Sequence, residues 1–170
     1  MKLDTLISSN AVITSPEIKS KKRALELLAE LLAAEATKIN PPAPADEPSS
    51  KGVNSLEIFL LLTDREKLGS TSMGHGVALP HARTGLTEHA VGAFLKLDKG
   101  IDFDSPDQQP TDLIFALMVP EHYTDEHLKI LAHLASLFSD QDFCNVLRRS
   151  SNAEEAYKHL TSWQLASQAS

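Results

Sequence analysis

Asp112-Leu113-Ile114-Phe115-Ala116-Leu117-Met118-Val119, closed by Pro120, sets seven apolar residues in a row behind one carboxylate. A run that short, apolar at every position, belongs to a strand covered on both faces. A bilayer span would need roughly 20 such residues, so the run is core and not membrane. Upstream, Ala90 to Leu97 alternates Val91, Ala93, Leu95 and Leu97, the period of a second strand.

Helices surround these strands. Residues 20–36 are rich in strong helix formers, with Leu25, Leu28, Leu32 and Ala36 on one face, Leu31 beside them and Ser20 as N-cap. The basic triplet Lys21-Lys22-Arg23 opposes the helix dipole there. A second helix is expected at 55–67, with Leu56, Phe59, Leu60 and Thr63 on its apolar face and Arg65 near its end. Thr124 is placed to cap a long helix whose apolar face holds Leu128, Leu131, Leu134, Ala135 and Phe138. Ser139-Asp140 breaks that pattern before a shorter helix at 141–149, and Ser151-Asn152 caps a last one with Ala156 and Leu160 inward. Interleaved helices and strands make this an α/β chain with a small mixed sheet. One domain is expected over 1–163, with a Pro-rich loop or insertion at about 39–54 and a frayed tail at 164–170.

Composition narrows the function. Hydrophobic residues are 42% of the chain but aromatics only 5%, so the core is expected to be aliphatic. A net charge of -7 repels nucleic acid and anionic lipid. One cysteine, Cys144, allows no internal disulfide, and the opening residues do not read as a signal peptide. A cytoplasmic protein is expected, with no membrane insertion and no nucleic-acid partner.

Chemistry concentrates after residue 64. Gly69-Ser70-Thr71-Ser72-Met73-Gly74-His75-Gly76 runs into Val77-Ala78-Leu79-Pro80, a short strand stopped by proline, and His81 follows in the expected loop. Pro80 fixes its own φ and biases Leu79 toward an extended form, so His81 leaves in a defined direction. Gly69, Gly74 and Gly76 free backbone amides for an anion, Ser70, Thr71 and Ser72 supply hydroxyls, and Arg65 supplies a planar permanent cation. That set suits a phosphoryl site, because an imidazole of pKa about 6.5 is largely neutral and nucleophilic near neutral pH. Phosphoryl transfer asks for little beyond positioning and charge neutralisation. If Thr124 caps its helix, His127 stands at the third position of the first turn, where an anion is welcome. It either contacts the phosphoryl group or His81, or is an exposed first-turn histidine. No dinucleotide fingerprint and no Walker lysine is present, so no nucleotide cofactor is expected and the donor would be another phosphoprotein.

Asp64-Arg65-Glu66-Lys67-Leu68-Gly69-Ser70-Thr71, followed by Gly74-His75-Gly76-Val77-Ala78-Leu79-Pro80-His81, closely resembles the active-site block of the mannitol–fructose type enzyme IIA proteins of the bacterial phosphotransferase system. Ser20 to Glu26 and Gln109 to Leu117 look most like the nitrogen-regulatory branch. The resemblance implies a mixed sheet flanked by helices on both faces. It implies that His81 is the phosphoryl acceptor through its tele nitrogen, Nε2, that Arg65 and His127 are the accompanying catalytic pair, and that Ser70, Thr71, Gly74 and Gly76 bind the phosphoryl group. It also implies a histidine-phosphorylated donor of the HPr kind, and regulated targets such as potassium transport or sensor-kinase components. The sugar branches would instead pass the group to a IIB domain. Two departures stand out: the length of the Pro-rich stretch, and His75 where nitrogen-branch relatives often carry asparagine. Three further readings are a sugar-specific IIA for fructose or mannitol, a binding module that has lost transfer, and a metal site of His75, His81 and His127. The last lacks a carboxylate or cysteine at ligand spacing, so no metal is expected.

Overall fold

A computed structural model of the chain describes residues 3–39 and 53–163. The Pro-rich connection from 40 to 52 and the tail at 164–170 lie outside the described residues. Two short 3₁₀ turns, Leu3–Thr5 and Ser9–Ala11, lead into β1 (Val12–Thr14). The chain continues through α1 (Lys21–Ile39), α2 (Ser55–Lys67), β2 (Ser72–Gly74), β3 (Val77–Ala78) and β4 (His81–Thr84). Then come β5 (Val91–Ile101), β6 (Thr111–Pro120), α3 (Asp125–Ser139), α4 (Gln141–Arg148) and α5 (Ala153–Ser162).

The strands form one mixed six-stranded sheet in the order β1-β5-β6-β3-β2, with β4 also on the β3 side of β6. β5 runs antiparallel to β6, whereas β1 is parallel to β5, and β3 and β4 are parallel to β6. Helices cover both faces, as the uninterrupted apolar run of β6 requires: Leu113 through Val119 are all buried. No described helix is long and apolar enough to cross a membrane.

Residues opposed across a ladder share a face, so Val12, Phe94 and Phe115 project together. The ring of Phe138 from α3 packs on that face, with centroids 6.1 Å from both Phe94 and Phe115. Phe143 of α4 meets Phe138 edge-on at 5.2 Å. The aliphatic expectation holds by number, but the few aromatics are concentrated: Phe94, Phe103, Phe115 and Phe143 are fully buried. Gly92 makes room for this cluster, since a Cβ there would come within 2.8 Å of the Phe115 ring.

Three expectations change. On α2 the buried ridge is Ile58, Leu62 and Glu66, while Leu56 and Leu60 are 60% and 51% exposed. The helix is apolar nearly all round, and packing against α1 and β4 selects the ridge that periodicity could not. On α3, Leu128 is 64% exposed and Ile130, Leu134, Leu137 and Phe138 go inward. Thr124 occupies the N-cap position of α3, but its side chain caps nothing; instead its own N–H donates to Glu126 Oε2 at 3.3 Å. Ser20, Asp140 and Asn152 do accept first-turn amides of α1, α4 and α5.

Candidate functional site

His81 was expected in a loop, yet it opens strand β4. Val77 opposes Leu113 and His81 opposes Leu117, four residues on in both strands, so one register runs past the Leu79-Pro80 break. Proline has no N–H for a ladder, which ends β3; but the Pro80 carbonyl still accepts from Leu117 N–H at 2.9 Å and holds the edge in line. By alternation His81 shares a face with Leu117 and Phe115, the face that α3 covers. That brings His127, at the third position of α3, beside it: the ring centroids are 5.5 Å apart with planes tilted by 55°.

The half-buried His81 ring is oriented by main chain. Its Nδ1 lies 2.8 Å from the Leu79 carbonyl oxygen. A carbonyl only accepts, so Nδ1 must carry the proton and Nε2 keeps a free lone pair. Burial pushes the His81 pKa below the ordinary histidine value, the Leu79 carbonyl pulls it up, the Arg65 charge pushes it down and the Glu66 charge pulls it up. His127 is also held low, by burial first and then by the charges of His81 and Arg83. Its Nδ1 is buried with no hydrogen-bond partner among the described residues, leaving Nε2 as the nitrogen that can meet a ligand. Two neutral imidazoles therefore stand side by side.

Around them, Arg65 in the last turn of α2 donates from Nη1 to the Gly69 carbonyl at 2.9 Å, which steers its guanidinium along the turn leading to β2. Thr71 lies next to Leu79, whose N–H donates to the Thr71 carbonyl at 3.1 Å. The hydroxyls in this turn are already engaged. Ser70 donates to the Phe103 carbonyl at 2.7 Å, and Thr71 donates to the Glu66 carboxylate, which also accepts the Thr71 N–H. Glu66 is itself buried and paired with Lys21 at 3.0 Å.

Gly74 and Gly76 are not brought to His81. They frame the β2–β3 turn at the far end of the shared edge, about 13–17 Å away by four to five residues of strand rise. Both have positive φ, +84° and +83°. A Cβ on Gly76 would lie 2.5 Å from Arg148 Nη2 and 2.7 Å from Asp112 Oδ1. Arg148 grips Asp112 through Nε (2.9 Å) and Nη2 (3.0 Å), and Nη2 also donates to the His75 carbonyl at 2.8 Å. His75, at φ +53°, takes the left-handed conformation that asparagine also tolerates, and its N–H donates to Asp107 Oδ2 at 2.9 Å. It belongs to the turn, apart from His81 and His127.

Among the apolar residues close to His81 in sequence, Val77 and Leu79 are buried and Met73 packs partly on the core, whereas Leu68 is 84% exposed. Leu128, next to His127 in sequence, is also exposed. Glu66 and Arg83 are the two residues of this site that the sequence did not flag. Arg83 stands one strand period beyond His81, a signal that counts only once 81–84 is known to be a strand. Glu66 gives no such signal, since a carboxylate on the ridge of Ile58 and Leu62 reads as a surface residue.

Residues 5–163 match the family model described as phosphoenolpyruvate-dependent sugar phosphotransferase system, EIIA 2. A nitrogen regulatory protein of Bradyrhizobium diazoefficiens is 40% identical over 160 residues, which cover 94% of this chain and 95% of that one. The crystal structure of nitrogen regulatory protein IIA-Ntr from Neisseria meningitidis superposes with a TM-score of 0.79 at 36% identity, covering 92% of this chain and 97% of that one. IIA mannitol from Escherichia coli shares the fold, with a TM-score of 0.66 at 18% identity over 90% of this chain and 97% of its own.

Proposed function

We propose, on the premise that the chain belongs to the EIIA 2 family of the phosphoenolpyruvate-dependent sugar phosphotransferase system, that it accepts a phosphoryl group on His81 Nε2 and regulates other proteins by whether it holds that group. The observation that carries this reading is the Nδ1–Leu79 hydrogen bond, which leaves the Nε2 lone pair as the nucleophile. The donor is a small histidine-phosphorylated carrier of the HPr kind. Its P–N bond breaks with the electron pair returning to the donor imidazole, and the His81 Nε2 lone pair forms the new one. Each ring keeps the proton on its other nitrogen, so none is released. Arg65 neutralises charge on the equatorial oxygens, and His127 donates a hydrogen bond to one of them. Thr71 and Ser70 act by shaping the turn, through Glu66 and Phe103, more than by contact.

The regulatory output draws support from relatives named nitrogen regulatory proteins at 40% and 35% identity. On this reading the partners are nitrogen- and potassium-linked, including transport and sensor-kinase components, and they meet the protein in the bacterial cytoplasm. A sugar output through a IIB domain is the second reading, favoured by the sugar system in the family's description.

The test is incubation with phosphoenolpyruvate, enzyme I and HPr, read by intact mass. One phosphoryl group, labile to acid and stable to base, is expected on the wild type and none on His81→Ala. Modification that persists in His81→Ala would end the proposal. Adding a mannitol or fructose IIB separates the outputs, since rapid loss of the group to IIB selects the sugar reading.

A further inference from the structure

We propose that Arg83 is the second guanidinium of the phosphoryl site, binding phosphoryl oxygens from the His127 side as Arg65 does from the His81 side; the inference rests on the reading of His81 above. Arg83 follows His81 by two residues on β4, so both side chains leave the same face of the sheet. Its Nη2 donates to the Glu121 carbonyl at 2.7 Å, at the turn that leads into α3. Arg65 is held the same way, by a single bond from Nη1 to the Gly69 carbonyl. Each guanidinium is thus steered by one main-chain oxygen, with no other hydrogen-bond partner among the described residues.

The Arg65 charge acts on His81 and the Arg83 charge on His127, so each imidazole feels one of the two cations. Neither arginine forms an ion pair among the described residues, whereas Arg23 and Arg148 do. Among the described residues, the groups that act on His127 are His81 and Arg83 of β4 and include no carboxylate; Glu126 and Lys129 on its own helix are exposed. A phosphoryl group on Nε2 brings close to two negative charges and three acceptor oxygens. One planar fork covers two oxygens at best, and Arg83 is placed to take the remainder together with His127.

The experiment uses phosphoramidate, a small donor that needs no protein docking. Its P–N bond breaks with the pair leaving on ammonia as Nε2 forms the new bond. The saturating rate of His81 modification is followed by ³¹P NMR and intact mass for wild type, Arg83→Ala and Arg83→Lys. Arg83→Ala should lower that rate about 10-fold or more with a smaller change in KM. Its acid limb should shift to higher pH, because His127 freed of the neighbouring cation takes up a proton sooner. Arg83→Lys should restore the pH profile but only part of the rate. Wild-type rate and profile in Arg83→Ala, with a normal thermal melt, would overturn the inference and leave the His81 reading standing. So would a defect confined to a protein donor, which marks a docking residue. A wild type left unmodified at His81 by phosphoramidate and by the HPr donor alike sinks the earlier reading, and this one with it.

Discussion

The strand edge formed by β3 and β4 carries arginine at both ends, and the two ends treat it differently. At the β2–β3 turn, Arg148 is bound by both oxygens of Asp112 and by the His75 carbonyl, and Gly76 leaves no space beside it. At the β4 end, Arg65 and Arg83 each donate to one carbonyl and, among the described residues, to no carboxylate. A guanidinium matched by a carboxylate has discharged its field and serves as a clamp. One held by a neutral oxygen is fixed in direction yet still attractive to an anion. The same residue type is thus structural at one end and poised for chemistry at the other, and the difference lies in the partner.

The sharpest way to break the contrast is at the nucleophile. His81→Gln should abolish phosphoryl incorporation completely while leaving the melting temperature almost unchanged, since the ring is only half-buried; a melt lowered by many degrees would place His81 in the scaffold instead. Arg65→Ala comes next, with a rate lowered about 10- to 100-fold from lost charge neutralisation. Single-turnover phosphorylation reads it, and an unchanged rate would remove Arg65 from the chemistry. The opposite end should show the reverse pattern. Gly76→Ala forces a Cβ into Arg148 and Asp112 at positive φ, costing about 2–4 kcal/mol of stability by urea denaturation, with a phosphorylation rate within about twofold of wild type.

pH separates the ends most finely. The folded His81 and His127 pKa values lie below the unfolded value of about 6.5, so the unfolded chain binds more protons beneath it. Stability contributed by these rings is therefore present above about 6.5 and declines as pH falls below it. Asp107 is depressed to about 2 from 3.8, chiefly by the Ser105 hydroxyl and the His75 and Gln109 amides, so its contribution is lost only as pH drops through that lower window. Hydrogen exchange should show the His75 amide still protected at a pH where amides around β4 have begun to open. Simultaneous loss would mean that the two ends do not behave independently.

Much of the scaffold was legible because burial on both faces leaves an unmistakable run at Leu113–Val119, and because Ser20 and Asn152 mark their helices with caps. The α2 ridge was not, since Ile58, Phe59, Leu60, Leu61 and Leu62 are consecutive apolar residues and offer several stripes to choose from. β4 hid for a related reason: His-Ala-Arg-Thr has no strand-like hydropathy, and only its register with β6 makes it a strand. With the strand hidden, Arg83 was hidden too. In the site, residue types announced that Ser70 and Thr71 could donate hydrogen bonds, but not that Phe103 and Glu66 had already claimed them. Donor inventories are readable from sequence, and prior commitments are not.

The partner that holds the Nδ1 proton of His81 is a peptide oxygen, released where the proline halts one strand and the next begins. Substitution at position 79 changes a side chain and leaves that oxygen where it was. Tautomer control here is consequently insulated from mutational drift, and what could disturb it is a change in how the strands are spliced. Relatives could vary widely around this imidazole and still inherit the same attacking nitrogen.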